Sequence, residues 1–167
     1  MIKKTTFLFI IPFIVCSISA FGQYKGTKQN ATKQKTILFI CEHGAGRSAI
    51  AATYFNTIAK KNGLNYRAIF RGIDPQEALG ISTKNGFIND SIDVSNLIPT
   101  KIEKADFDKA YKVITLDCQL PNTFKKPDLQ WIGIQMNGNY DISKGEIMPK
   151  VDSLVLGLGG RKRLDKK

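Results

Sequence analysis

The stretch Ile37–Lys60, ILFICEHGAGRSAIAATYFNTIAK, changes its periodicity halfway along. Thr36 to Ile40 is a continuous apolar, β-branched run, the composition of a strand buried on both faces of a parallel sheet. From Ser48 onward Ile50, Tyr54, Phe55, Ile58 and Ala59 line one helical face, until Lys60-Lys61-Asn62-Gly63 supplies a stop signature. Between strand and helix stand Cys41, Gly44, Gly46, Arg47 and Ser48. A strand-to-helix turn aims several backbone N–H groups at one point, and the helix dipole adds partial positive charge there. The glycines let the backbone curl so that those groups converge. Arg47 brings a planar fork matched to two oxygens of a tetrahedral anion. The field that draws an anion also favours the ionised form of a sulfur at the floor of the cradle, and Ser48 can donate to that sulfur. A thiolate below and oxygens gripped around a rim are what in-line displacement at phosphorus requires, through a cysteinyl-phosphate that water then releases.

Two other readings compete for this stretch. A buried structural cysteine leaves Arg47 and the glycines without a purpose. Gly44-Ala45-Gly46-Arg47-Ser48-Ala49 also fits the G-x-G-x-x-G/A dinucleotide fingerprint. That fingerprint wants an acidic residue at the end of the second strand, where this chain has Phe70-Arg71-Gly72, which leaves at best a case for a cofactor with a 2′-phosphate.

Outward from the stretch, strands are expected at Tyr66–Phe70, Tyr111–Leu116 and Leu129–Ile134. Helices are expected at Ser82–Asn89, Ile102–Phe107 and Ser143–Leu158, the last kinked or split by Pro149. The alternation predicts an α/β fold, an open parallel sheet covered by helices on both faces, with ligands beyond the carboxyl ends of the strands. Cys41 and Cys118 follow the first and third strands, so both are placed at that edge.

The ends read differently. Lys3 and Lys4, the apolar Phe7–Ile18 run and the small residues Ala20 and Gly22 compose a secretory signal peptide over residues 1–22, with an uncleaved anchor as the alternative. Cleavage after Gly22 leaves 145 of the 167 residues, the size of one domain, and places the protein in an exported compartment without stable membrane insertion. Residues 23–35 form a polar leader, 36–158 the domain and 159–167 a basic tail. The formal charge of +11 falls to +9 once Lys3 and Lys4 are gone, and much of the surplus sits in the two ends. No aromatic residues interleave with those charges, so no nucleic-acid partner is expected. Two thiols in the mature chain make no disulfide framework, and one histidine cannot complete a metal site, so neither a metal nor an organic cofactor is implied.

Cys41-Glu42-His43-Gly44-Ala45-Gly46-Arg47-Ser48 resembles the C-x5-R-S/T signature of the low-molecular-weight protein tyrosine phosphatase family, which includes the thiol-coupled arsenate reductases. Arg71-Gly72-Ile73-Asp74-Pro75, Ile92-Asp93-Val94-Ser95 and Val113-Ile114-Thr115-Leu116-Asp117 are similar to later family segments, and the resemblance spans Thr36 to Leu158. It implies a single-domain three-layer sandwich around a central four-stranded parallel sheet of the phosphotyrosine phosphatase I-like kind. It further implies Cys41 as nucleophile, Arg47 as oxyanion clamp, Ser48 as their support, and Glu42, His43, Gly44, Ala45 and Gly46 as the substrate-binding loop. The implied partner is a phosphorylated or other tetrahedral-oxyanion substrate.

Two departures qualify the match. The family's Asp-Pro pair, which carries the general acid, has no counterpart after Trp131, and Asp141 is the nearest carboxylate, a helix N-cap being its other reading. His43, Ala45 and Gly46 look more like the arsenate reductase branch, yet Cys118 is the one further cysteine for its relay. The reading is therefore a cysteine-dependent phosphatase, with an arsenate reductase-like thiol enzyme and a non-catalytic oxyanion-binding module as alternatives. Trp131 and Tyr140 either wall the pocket or pack the core. A reversible Cys41–Cys118 disulfide is a further expectation from their shared sheet edge.

Overall fold

A computed structural model describes residues 33–135 and 138–161. The signal-peptide reading, nearly all of the leader and most of the tail lie outside them. Four strands, β1 (Lys35–Cys41), β2 (Tyr66–Gly72), β3 (Lys112–Leu116) and β4 (Leu129–Trp131), alternate with helices α1 (Arg47–Lys61), α2 (Ile81–Asn89), α3 (Lys104–Lys109) and α4 (Tyr140–Gly157). The strands form one parallel sheet in the order β2-β1-β3-β4.

The apolar run of β1 explains its central place. Ile37, Leu38, Phe39 and Ile40 are all fully buried, which a strand achieves only when covered on both faces. Their alternation assigns the layers. Ile37, Phe39 and Cys41 belong to the larger core, filled by Ala49, Phe55 and Ile58 of α1 and Ile147, Val151 and Val155 of α4. Leu38 and Ile40 belong to a smaller core with Phe107 of α3 and Ile102. Helices thus cover both faces, the three-layer arrangement expected.

Of the boundaries that differ from expectation, three have a visible cause. β4 stops at Trp131 rather than Ile134, because Gly133 turns with φ +77° and the amides of Gly133 and Ile134 donate to the Asp117 carboxylate, each at 2.7 Å. α4 starts at Tyr140 rather than Ser143, since the Asn139 side chain accepts from the Ile142 amide and caps it there. It also runs unbroken through Pro149, where the sequence predicted a kink or split. The third short helix starts at Lys104, because the Ile102 amide is drawn into a bond with the Gly72 carbonyl.

Candidate active site

The chain turns sharply after Cys41, and four carbonyls of that turn are taken up by one neighbouring segment. Those of Cys41, Glu42, His43 and Ala45 accept from the amides of Ile73, Asp74, Gln76 and Gly80, at 2.9 to 3.2 Å. Residues 73–80 therefore act as an outer belt that occupies the carbonyl side of the loop. The amides on the other side, from His43 to Ser48, have no acceptor among the described residues. Two glycines make this possible by close approach. Gly44 sits at φ +65°, and a Cβ on Gly72 would lie 2.8 Å from the His43 carbonyl carbon and 2.9 Å from the Gly44 nitrogen. The β1–β2 register sets Gly72 beside Cys41, so the second strand ends on the one residue thin enough to let the loop lie against it.

Cys41 lies at the floor, 3% exposed. Its sulfur is 3.1 Å from the hydroxyl of the fully buried Ser48, whose other neighbour is the Arg71 carbonyl at 3.4 Å. With the sulfur ionised, the hydroxyl donates to it. α1 starts at Gly46–Arg47 with no side-chain cap and no acidic residue in its first turn, so its N-terminal field is left to an external anion.

Arg47 lines the same cavity as Cys41, His43, Ala45 and Gly46, a space of about 540 Å³. Its Nη1 is 3.1 Å from Asp117 Oδ2 and donates to the Ile134 carbonyl at 3.4 Å. Asp117 holds a left-handed backbone, φ +44°, and its two oxygens also take the Gly133 and Ile134 amides. One carboxylate at the end of β3 thus fixes both the guanidinium and the turn after β4. Sequence reasoning missed this role, although Asp117 directly follows a strand at the ligand-binding edge.

The other expected residues separate into groups. His43 donates through Nδ1 to the Asp74 carbonyl at 3.0 Å and is an exposed rim residue. Glu42 opens instead toward a second recess with Asp117 and Cys118. Asp141 lies in the first turn of α4, in an adjoining recess that shares only Ser82 and Gly138 with the Cys41 cavity. Asn139, not Asp141, is the N-cap. Among the described residues of that segment, Gly138 reaches the Cys41 cavity. Trp131 and Tyr140 are core residues, Trp131 packed on Phe39 with ring centroids 5.4 Å apart, Tyr140 edge-on to Phe87 at 5.6 Å. Arg71, the one candidate for a 2′-phosphate, has its fork taken by Asp106, at 2.7 and 3.0 Å.

Cys41 and Cys118 are free thiols at the same sheet edge but on opposite faces. Cys118 packs with the α3-side core and donates weakly to the Ile40 carbonyl at 3.5 Å. Burial, with the Cys41 charge second, pushes its thiol up to about 12. A direct disulfide or relay attack needs one of the two sulfurs to leave its layer. No group of three or more metal-ligating side chains occurs among the described residues, and no helix among them is long and apolar enough to cross a membrane.

The comparisons agree with the fold. The family model described as "Low molecular weight phosphotyrosine protein phosphatase" matches residues 36–141. Among solved structures, YfkJ from Bacillus subtilis superposes with a TM-score of 0.66 at 17% identity, over 75% of this chain and 95% of that one. A thioredoxin-dependent arsenate reductase from Corynebacterium glutamicum gives 0.61 at 20% identity, over 77% and 64%. A low molecular weight protein tyrosine phosphatase from T. tengcongensis gives 0.58 at 18% identity, over 74% and 99%. These likenesses are ones of fold. No curated protein sequence matches the chain. With a family model covering well over half of its length, the chain belongs to the low molecular weight phosphotyrosine protein phosphatase family.

Proposed function

We propose that the protein hydrolyses phosphate monoesters with good leaving groups, aryl phosphates such as phosphotyrosine among them, by way of a phosphorylated Cys41. The observation that carries this is the ring of unbonded amides from His43 to Ser48 around a buried sulfur, with Arg47 lining the same cavity. The ionised sulfur attacks phosphorus opposite the ester oxygen. As the S–P bond forms the P–O bond breaks, and the leaving oxygen departs with the electron pair. The amides and guanidinium gain as charge spreads over the three equatorial oxygens, which is where a preorganised oxyanion cradle lowers a barrier. Water then attacks phosphorus, inorganic phosphate leaves and the thiolate returns.

None of the described residues lining the cavity is acidic, which supports a preference for leaving groups that need no proton. Asp141 can serve as acid only from the adjoining recess. The arsenate reductase-like reading draws less support, because Cys118 lies across the sheet and is protonated at neutral pH. The N-terminal pattern supports export as the setting of this reaction, after removal of residues 1–22. Turnover of p-nitrophenyl phosphate is the test. Hydrolysis abolished by Cys41→Ser supports the enzyme, whereas phosphate binding without turnover leaves a binding module.

A further inference from the structure

The four helices begin in two different ways. α3 and α4 are finished by their own side chains: Asp106 reaches back to the Glu103 amide, Asn139 accepts from Ile142, and an acidic residue stands in each first turn. α1 and α2 begin at glycines, Gly46 and Gly80, with no side-chain cap and no acidic residue in the first turn. Both open onto the same cavity, where Gly80, Ile81, Ser82 and Thr83 line the wall facing the Cys41 loop. The Gly80 amide is bound to the Ala45 carbonyl at 3.0 Å, which ties the start of α2 to the cradle. The amides of Ile81, Ser82 and Thr83 have no acceptor among the described residues.

A second observation points to a ligand independently of the helix end. Thr83 is fully buried, and its hydroxyl has no hydrogen-bond partner among the described residues. A buried hydroxyl without a partner is costly, on the order of 1–3 kcal/mol, and is tolerated where something else completes it. Arg47 is the only Lys, Arg, Asp or Glu among the described lining residues, so no carboxylate among them repels an anion. The cavity, at about 540 Å³, is far larger than a phosphate group.

We propose that the first turn of α2, with the Thr83 hydroxyl, forms a second anion subsite beside the Cys41 cradle. The preferred substrates are then phosphate monoesters that carry another carboxylate or phosphate close to the scissile phosphate. This rests on the phosphatase reading of Cys41 and Arg47 and narrows its substrate class. The uncapped helix end supplies attraction, and the burial of Thr83 limits how large the second group can be.

The test is calorimetric titration of the full chain with methylphosphonate, phosphonoacetate and methylenediphosphonate, none of which can be hydrolysed. At least one of the two diacids should bind about tenfold more tightly than methylphosphonate, the scale of an anion at a partly buried helix N-terminus. Which diacid gains more identifies the second group as carboxylate or phosphate. Thr83→Val should bring the ratio down at least threefold and Thr83→Ser should keep it. Ser82→Asp places an acid where a helix start welcomes one, so it folds whatever becomes of Thr83→Val, and it should take the ratio to one or below. Equal binding of mono- and diacids, or a ratio untouched by both Thr83→Val and Ser82→Asp, overturns the subsite. Turnover of p-nitrophenyl phosphate by the same preparation separates the two readings. Turnover with no diacid preference sinks the subsite alone, and no turnover with no phosphonate binding sinks the phosphatase reading with it.

Discussion

Cys41 and Cys118 occupy equivalent places in the topology, one at the end of β1 and one just past β3, yet their surroundings make them different chemical groups. Cys41 faces the α1 and α4 side, with a buried hydroxyl at 3.1 Å, a helix start and a ring of unbonded amides. Cys118 faces the α3 side, where its partner is a backbone carbonyl and burial pushes the thiol up to about 12. The strand end delivers a side chain to the ligand-binding edge, but the face of the sheet decides whether it meets donors or hydrocarbon. Ile114 and Leu116 of β3 face the α1 and α4 side, and the left-handed turn at Asp117 is what sends Cys118 to the other face.

The largest break in the comparison should come from exchanging the sulfurs for oxygen one at a time. Cys41→Ser is expected to lower kcat for p-nitrophenyl phosphate by on the order of 10⁴-fold or more, as removal of a nucleophile does, while Cys118→Ser changes it less than twofold. Comparable losses from the two substitutions, read from steady-state p-nitrophenolate release, would erase the distinction.

Next in size is the clamp on Arg47. Asp117→Ala frees the guanidinium and the Gly133 and Ile134 amides together, and kcat/KM should fall about 10- to 100-fold, the worth of hydrogen bonds to a charged group. An unchanged kcat/KM would mean that Arg47 holds its place without the carboxylate.

A titration sharpens the contrast from the other side. An acid whose folded value is raised binds more protons folded than unfolded, between its ordinary value near 9 and about 12. Cys118 therefore costs no stability below pH 9 and subtracts increasingly as pH climbs toward 12. Denaturant unfolding at a series of alkaline pH values should show a steeper decline for the wild type than for Cys118→Ala. Parallel curves would place the thiol in water. Iodoacetamide at pH 7.5 should correspondingly label Cys41, with protection by phosphate, and reach Cys118 only on unfolding.

The smallest effect concerns the cradle side. Asp90, at the end of α2, accepts from Tyr140 and Lys144, both at 2.6 Å, and from Tyr54. Burial raises its carboxyl, but those donors outweigh it and hold the group down at about 2. A lowered carboxyl stabilises the fold above its unfolded value near 4, and the gain is lost as pH falls toward 2. Asp90→Asn should cost on the order of 1 kcal/mol at pH 7, discounted for its partial exposure, and close to nothing at pH 2. Equal loss at both values would show that the charge is immaterial.

Much of the fold was legible because its signals are local. The apolar run before Cys41, the helical face after Ser48 and the Lys60–Gly63 stop each depend on neighbours in sequence, and β1 and α1 appear within one or two residues of expectation. Boundaries set by distant partners were not legible. The end of β4 depends on Asp117, well back along the chain, and the start of α3 on Gly72. The cradle divides in the same way. Its residue types stand together between Cys41 and Ser48, so sequence alone determined which atoms can hold an anion. The tertiary structure decided what those atoms face: the belt of residues 73–80 that takes up the loop carbonyls, the Asp117 carboxylate on Arg47, the unpartnered Thr83 hydroxyl opposite and the distance of Asp141 from the floor. The physical reason is that a backbone turn is specified by the few residues within it, whereas the partner of each polar group is chosen by whatever the packed layers bring alongside.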